Sequence, residues 1–358
     1  MKKIVLTGGG TAGHVTPNIA LLPALQAAGY EIAYVGSYEG IEKKLIADFN
    51  IPYTGISTGK FRRYLDPKNF SDPFRVMKGF VEARNYLKNY QPDVVFSKGG
   101  FVSVPVIRAA ASLHIPCIIH ESDMTPGLAN KLCIPVAEKV CCNFPETMKN
   151  IPADKAVLTG SPIRAELAEG SKLAGLNMCG FTANKPVIMV IGGSLGAANV
   201  NKAVRDALPK LLADFQVVHL CGKDKIDNLL LNTPGYKQFE YIKAELKDIF
   251  AMADIVISRA GANAICELLA LKKPNILIPL PAASSRGDQL LNAASFEAQG
   301  YSIVLNEDDI TTNLLVDKVH ELYFNRQNYV DAMSKSHQMD AVKTIMELIN
   351  EAADKKTN

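Results

Sequence analysis

The sequence predicts an α/β protein made of two Rossmann-like, doubly wound parallel-sheet domains that face each other across a cleft. Three observations predict it. The apolar run Ile4-Val5-Leu6 leads directly into Gly8-Gly9-Gly10-Thr11-Ala12-Gly13-His14. A second run, Val187 to Ile191, leads into Gly192-Gly193-Ser194-Leu195-Gly196-Ala197. Between and after them, strand-like and helix-like stretches alternate, the rhythm of a parallel sheet with helices on both faces. A glycine-rich turn between a buried strand and a helix lets backbone N–H groups approach a ligand at the positive end of the helix.

The strands of the first half are expected near 3–7, 31–36, 51–56, 93–97, 116–120, 139–142 and 156–159. Thr16-Pro17 reads as a helix start, a capping hydroxyl followed by proline at the first helical position. The rhythm restarts at 187–191 and continues at 216–221, 238–242, 254–258, 275–280 and 301–305. The domain break is expected near 160–165, at Gly160-Ser161-Pro162-Ile163-Arg164, giving an N-terminal domain 1–162 and a C-terminal domain 163–340. A last helix near 340–353 is expected to pack back across the domains, and the polar tail after Ala353 to fray. No internal repeat or low-complexity segment interrupts the chain.

Composition excludes several classes. With 48% hydrophobic and 21% charged residues, the 358-residue chain has ample core for two domains. Its apolar runs are too short to span a bilayer, and Met1-Lys2-Lys3 lacks the apolar segment of a secretory signal. Seven cysteines without a CxxC pair read as reduced cytosolic thiols in the core, Cys141-Cys142 included. The net charge of +3 is uneven: residues 1–160 carry 18 Lys and Arg against 13 Asp and Glu, residues 161–358 carry 21 against 23. A basic N-terminal half implies a partner different from that of the C-terminal half. RNA-module signatures are missing, so no nucleic-acid partner is expected.

Gly8-x-Gly10-x-x-Gly13 matches the dinucleotide fingerprint in form. The ribose-holding acid that an NAD site needs at the end of the second strand is missing there: the strand ends Val35-Gly36-Ser37, with Glu39 beyond it. No Walker lysine follows either turn. His14 stands where the first turn opens into a helix, either as a helix-start hydrogen bonder or as a general base. Ser258 to Glu267 follows a strand and opens a helix, with small residues at Ala262 and Asn263 for close approach. Glu267 can bridge two ribose hydroxyls or merely complement the helix dipole. Asp288, Gln289 and Asn292 can share a face toward sugar hydroxyls. Arg164 offers a guanidinium fork for a diphosphate. No Asp-x-Asp ends a strand, so neither metal nor cofactor is expected. Residues 60–88 interleave cations with Phe61, Tyr64, Phe74, Met77 and Phe80; this is either a surface for anionic lipid or an amphipathic helix facing the core.

These motifs, in this order and spacing, resemble the MurG family of UDP-N-acetylglucosamine transferases, which convert lipid I to lipid II in peptidoglycan synthesis. The resemblance also rests on Lys98-Gly99-Gly100-Phe101-Val102-Ser103 and on His120-Glu121-Ser122-Asp123 followed by Pro126-Gly127. It implies a two-domain GT-B fold, roles in cell-wall biogenesis, cell shape and division, and a peripheral site on the cytoplasmic face of the membrane. It assigns diphosphate to Arg164 and Ser194, and ribose to Glu267. The sugar falls to Gln289 with Asp288 and Asn292, the uracil border to Tyr241, Ile242 and Leu246. Thr11, Ala12, Gly13 and His14 would meet donor sugar and acceptor. The family often has Gln-Asn where this chain has Ser122-Asp123, and Gln where Asp288 stands. The implied chemistry is a single inverting displacement, with His14 as leading base and Glu121 and Asp123 in reserve. Rival readings are a glycolipid synthase or UDP-GlcNAc 2-epimerase of the same fold, a non-catalytic UDP-sugar-binding subunit, and an NAD dehydrogenase.

Overall fold

The computed structural model describes residues 1–59, 72–193, 197–282, 287–336 and 340–357. The chain forms two compact units, Met1–Arg164 with Asp340–Asn358, and Ala165–Met339.

The first unit holds seven strands: β1 (Lys3–Thr7), β2 (Glu31–Ser37), β3 (Tyr53–Ile56), β4 (Val94–Ser97), β5 (Cys117–Glu121), β6 (Lys139–Cys142) and β7 (Ala156–Leu158). They pair in parallel in the order β3-β2-β1-β4-β5-β6-β7. Successive residues of a strand point to opposite faces. Both faces are covered here, so the strands are continuous apolar runs. Val5, Val95 and Ile119 lie in one core cluster with Ala83 and Leu87 of the helix Asp72–Tyr90 and Val106 and Ala110 of the helix Ser103–Ser112. Their neighbours Ile4, Leu6, Phe96 and Ile118 lie in the other, with Leu21 and Leu25 of the helix Thr16–Ala27 and Ile345, Ile349 and Ala353 of the helix Ala341–Thr357. Each of the Val, Leu, Ile and Phe side chains among them contributes about 1.5–3 kcal/mol by leaving water.

The C-terminal helix is therefore part of the first unit's core. It does not unwind at Ala353 but continues to Thr357, with Asp354 on Lys2 at 2.6 Å and Lys355 on Glu138 at 3.6 Å. Exposed pairs of this kind are worth little; the apolar stripe holds the helix. Thr16 also differs from expectation. It is the first residue of its helix rather than the cap, and its hydroxyl donates back to Ala12 O at 3.0 Å.

The second unit repeats the plan with β8 (Val187–Ile191), β9 (Gln216–Leu220), β10 (Tyr236–Phe239), β11 (Ile255–Ser258), β12 (Asn275–Leu277) and β13 (Ser302–Val304), in the parallel order β10-β9-β8-β11-β12-β13. Ile188, Val190, Ile257 and Ile276 pack on Val204, Leu208 and Leu211 of the helix Ala198–Asp214 and on Leu315 and Val319 of the helix Thr312–Phe324. In both sheets the strand order reverses beside the first strand, between β1 and β4 and between β8 and β11. Loops after those strands part to opposite faces there, and open α/β sheets bind ligands at that point. Both glycine turns end the strand at the reversal.

Candidate functional site

In the first unit the turn after β1 is held by side chains from elsewhere in the sheet. Gly8 has φ +155°, and a Cβ on it would meet His14 O at 2.5 Å. Its carbonyl accepts from Tyr34 Oη at 2.7 Å, and Asn18 Nδ2 donates to Thr7 O at 3.0 Å. Gly9 N–H donates to Gly99 O at 3.3 Å, joining this turn to the loop after β4. Thr11 and Ala12 are exposed. Gly13 and His14 belong to a short 3-10 turn, Ala12–His14, and Thr11 Oγ1 lies 3.0 Å from His14 Nδ1. Burial, with help from the nearby Lys98 charge, lowers the His14 imidazole to about 4, against a ring hydrogen bond to Gly9 and the charge of Glu42. His14 is thus neutral near pH 7.

Beneath this turn lies a buried polar chain. Lys98, 1% exposed, puts Nζ 2.7 Å from His120 Nδ1 and donates to Ser122 Oγ at 2.5 Å. His120 Nε2 lies 2.8 Å from Gly160 O. A carbonyl only accepts, so Nε2 carries the proton and Nδ1 receives the bond from Lys98. Burial and the Lys98 charge hold His120 well below its ordinary range. Glu121 is committed to the next loop. Its Oε1 accepts from Asp123 N–H at 2.8 Å, its Oε2 from Gly127 N–H at 3.0 Å and Asn130 Nδ2 at 2.8 Å. Burial pushes its carboxyl up in spite of these donors. Asp123 is half-buried, and its carbonyl accepts from Thr147 Oγ1 at 3.1 Å. Arg164 is half-buried, its Nε without a partner among the described residues.

In the second unit, Gly193 has φ +83° at the end of the strand–turn junction, and Ser194 lies outside the described residues. Ala262, Asn263 and Glu267 lie on the helix Ala262–Ala270 that follows β11, with Asn263 and Glu267 one turn apart on one face. The next element, the helix Asp288–Ala298, begins with Asp288 and Gln289 and is tied down by its own polar residues. Gln289 Oε1 accepts from Leu280 N–H at 3.1 Å, and Asn292 Nδ2 donates to Ala260 O at 3.1 Å. Asn292 Oδ1 is buried with no partner among the described residues. β10 stops at Phe239, earlier than expected, so Ile242 lies in the following loop, buried, and Leu246 begins the helix Leu246–Met252. Arg259 is not free for a ligand. Its Nη1 donates to Ile278 O at 3.0 Å and Pro279 O at 3.2 Å, and its Nη2 pairs with Glu307. Among the described residues no group of three His, Cys, Asp or Glu could hold a metal ion.

Family models match in two pieces, the second of which runs on from the second unit into the C-terminal helix of the first. Residues 4–142 match the glycosyltransferase family 28 N-terminal domain and residues 187–349 its C-terminal domain. The chain belongs to the MurG family of glycosyltransferases. A relative from Lachnospira eligens is 65% identical over 98% of this chain and 99% of its own, and is named a UDP-N-acetylglucosamine–N-acetylmuramyl-(pentapeptide) pyrophosphoryl-undecaprenol N-acetylglucosamine transferase. A relative of the same name from Clostridium botulinum is 58% identical over 98% of this chain and 99% of its own. Among solved structures, Acinetobacter baumannii MurG superposes with a TM-score of 0.78 at 28% identity, covering 98% of this chain and all of that one. A UDP-GlcNAc 2-epimerase from Neisseria meningitidis reaches 0.69 over 98% of this chain and 100% of its own; at 15% identity that is a likeness of fold.

Sequence reasoning missed one residue of this MurG-family site. Glu42, wholly buried, turns back under the first glycine turn. Its Oε2 accepts from Gly10 N–H at 3.1 Å, and its Oε1 from Ser37 N–H at 2.9 Å and Ser37 Oγ at 2.5 Å. Burial alone would raise its carboxyl; these bonds outweigh it and hold the group below the ordinary range. The available signal was an acid five residues past the end of β2, facing the turn rather than a ribose.

Proposed function

We infer that this chain transfers N-acetylglucosamine from UDP-N-acetylglucosamine to the muramyl 4-hydroxyl of undecaprenyl-pyrophosphoryl-N-acetylmuramyl-pentapeptide, inverting the anomeric carbon. The observation that carries this reading is the near full-length likeness to relatives named for that transfer. The hydroxyl oxygen attacks the anomeric carbon, the bond to the UDP oxygen breaks, and the hydroxyl proton passes to His14. That base is neutral, lies on the turn at the strand reversal, and has Thr11 Oγ1 on its Nδ1. General-base help of this kind is worth about 10²–10⁴ in rate. Glu121 is a poorer candidate, because both its oxygens already accept N–H bonds. Asp123 remains the reserve.

The donor is assigned to the second unit and the acceptor to the first, with the functional division at 162/163. Glu267 and Asn263 offer one helix face to the ribose, and Ala262 leaves room beside them. Gln289, Asp288 and Asn292 are assigned to the sugar, with the unpartnered Asn292 Oδ1 in support. Ile242 and Leu246 border the uracil. Arg164, whose Nε–H lacks a partner among the described residues, and Ser194 serve the departing diphosphate, where preorganised donors matter most in the transition state. Thr11, Ala12 and Gly13 line the acceptor side.

Among the described residues no helix is long and apolar enough to cross a membrane. The helix Asp72–Tyr90 supports peripheral docking on the cytoplasmic face. Phe74, Met77 and Val81, at i, i+3 and i+7, are 79%, 64% and 50% exposed, with Arg75 and Lys78 exposed beside them. Its other face, Ala83 and Leu87, is core. The core reading accounts for one face of the helix, and the other face is the one the lipid reading needs; residues 60–71 lie outside the described ones. The deciding experiment is transfer of labelled N-acetylglucosamine from UDP-GlcNAc to a lipid I analogue, with UDP-glucose and UDP-GalNAc as controls. Donor binding without transfer would point to another acceptor, and release of UDP with epimerised sugar to the epimerase.

A further inference from the structure

The first glycine turn already contains an anion. In a dinucleotide-binding sheet, the N–H groups of this turn face a pyrophosphate. Here Gly10 N–H is turned onto the Glu42 carboxylate, which Ser37 holds from the other side through N–H and Oγ. The glycines around it fit this purpose rather than a ligand's. Gly9, Gly36 and Gly40 do not have a left-handed backbone, so conformation does not require glycine there. Space does: a Cβ on Gly9 would come within 2.5–2.7 Å of the Glu42 carboxyl atoms and one on Gly40 closer still, whereas one on Gly36 would meet the Tyr53 hydroxyl before Glu42 Cγ at 2.8 Å. Gly9 and Gly40, from two segments, thus form a case around one carboxylate, and Gly36 leaves room for its stem and for Tyr53.

We propose that Glu42 is a built-in substitute for a ligand phosphate at the first glycine turn: it closes that turn to nucleotide phosphates and positions Gly9 to His14 for the acceptor hydroxyl. Two consequences follow from geometry. The turn keeps its shape without a bound nucleotide, because the carboxylate fills the seat that would otherwise be empty. The negative charge also lies near His14, so it favours the imidazolium that forms when His14 takes a proton, while Lys98 opposes it. The remaining ionisable groups facing Glu42 are the phenols of Tyr34 and Tyr53, both raised, mainly by burial, and neutral near pH 7. Glu42 is a positioning residue, one step removed from the reacting atoms.

The readout on turnover rests on the transfer reaction proposed above; the readouts on the imidazole and on anion binding do not. In full-length protein, Glu42→Gln keeps the size but removes the charge and turns an NH2 or a weaker acceptor toward Gly10 N–H. The expected result is a transfer rate lower by about tenfold to a hundredfold, at or below the lower end of general-base effects, as suits a residue that acts through His14. The KM for UDP-GlcNAc should stay unchanged, and the His14 imidazole, followed by NMR, should titrate at lower pH. Glu42→Ala empties the seat. Added formate should refill it, restoring rate several-fold and raising the melting temperature of the variant while leaving the parent protein unaffected. Wild-type turnover and an unmoved His14 titration in Glu42→Gln would overturn the proposal. So would a folded Glu42→Ala protein indifferent to formate. If both variants lose transfer for want of an acceptor, the His14 titration and the formate effect on melting still decide it.

Discussion

Arg259 belongs to the motif that resembles a donor site, yet its bonds are internal, and its removal separates the two roles. In Arg259→Leu the Glu307 carboxylate, 8% exposed in its side chain, loses its ion-pair partner. Breaking a buried pair costs about 3–5 kcal/mol. The lower end applies, because Asn199 Nδ2 still donates to Glu307 Oε1 at 2.6 Å. The carbonyls of Ile278 and Pro279 lose a donor each, adding about 1 kcal/mol together after water takes part of the place. The sum, about 4 kcal/mol, is a large share of a domain's usual stability of about 5–15 kcal/mol. For a unit of this size it lowers the melting temperature by roughly 8–16 °C. The assay is calorimetry of the full chain with UDP-GlcNAc titration well below the transition. The double variant with Glu307→Leu should recover part of the loss, because no charge is left stranded. A melting temperature within 2 °C of the parent, combined with a hundredfold loss of donor affinity, would refute the reasoning and make Arg259 a ligand contact.

His14→Ala should cut turnover by about 10²–10⁴ while UDP affinity stays within twofold; near-normal turnover removes His14 from the base role. Acid should destabilise the fold through its buried histidines. Burial holds His14 at about 4 and His219 at about 3, with the Lys98 and Arg205 charges adding to the effect, whereas the unfolded chain titrates near 6.5. Between those values the unfolded state binds more protons, so stability is complete above about pH 6.5 and is lost as pH falls, by up to about 1.4 kcal/mol per pH unit for each histidine. A melting temperature flat from pH 7 to 4.5 would contradict this. Phe74→Ser with Met77→Ser should weaken binding to vesicles containing anionic lipid, with transfer to a water-soluble acceptor unchanged; equal vesicle binding would locate the lipid contact elsewhere.

Most of the thirteen strands among the described residues were legible because burial on both faces leaves continuous apolar runs, as in Val187 to Ile191, where only the last residue is not fully buried. Ends were less legible. The run from Asn275 stays apolar through Leu280, but pairing stops at Leu277, before the proline. β10 lies at a sheet edge with only β9 beside it, and its buried residues alternate, so its boundaries slid toward the apolar pair Tyr241-Ile242. In the site, the turns and the helices that follow them could be read locally. The ties that fix them could not. Asn292 reaches a carbonyl 32 residues away, which needs β11 beside β12, and Glu42 reaches Gly10 across 32, which needs β1 beside β2.

The two glycine turns share a topology but not the same surroundings. Both stand at the reversal of strand order, where phosphate sites occur in such sheets. The first has its N–H at Gly10 occupied by an internal carboxylate. The second leads into the helix Ala198–Asp214, seventeen residues long, which has no side-chain cap at Ala197 and no acidic residue in its first turn. Glu307, which accepts from Asn199 Nδ2 in that first turn, is paired with Arg259, so an anion from outside still gains from the dipole. That asymmetry supports the proposed placing of the UDP diphosphate on the second unit and of the acceptor hydroxyl at the first turn, where Gly10 N–H already meets Glu42.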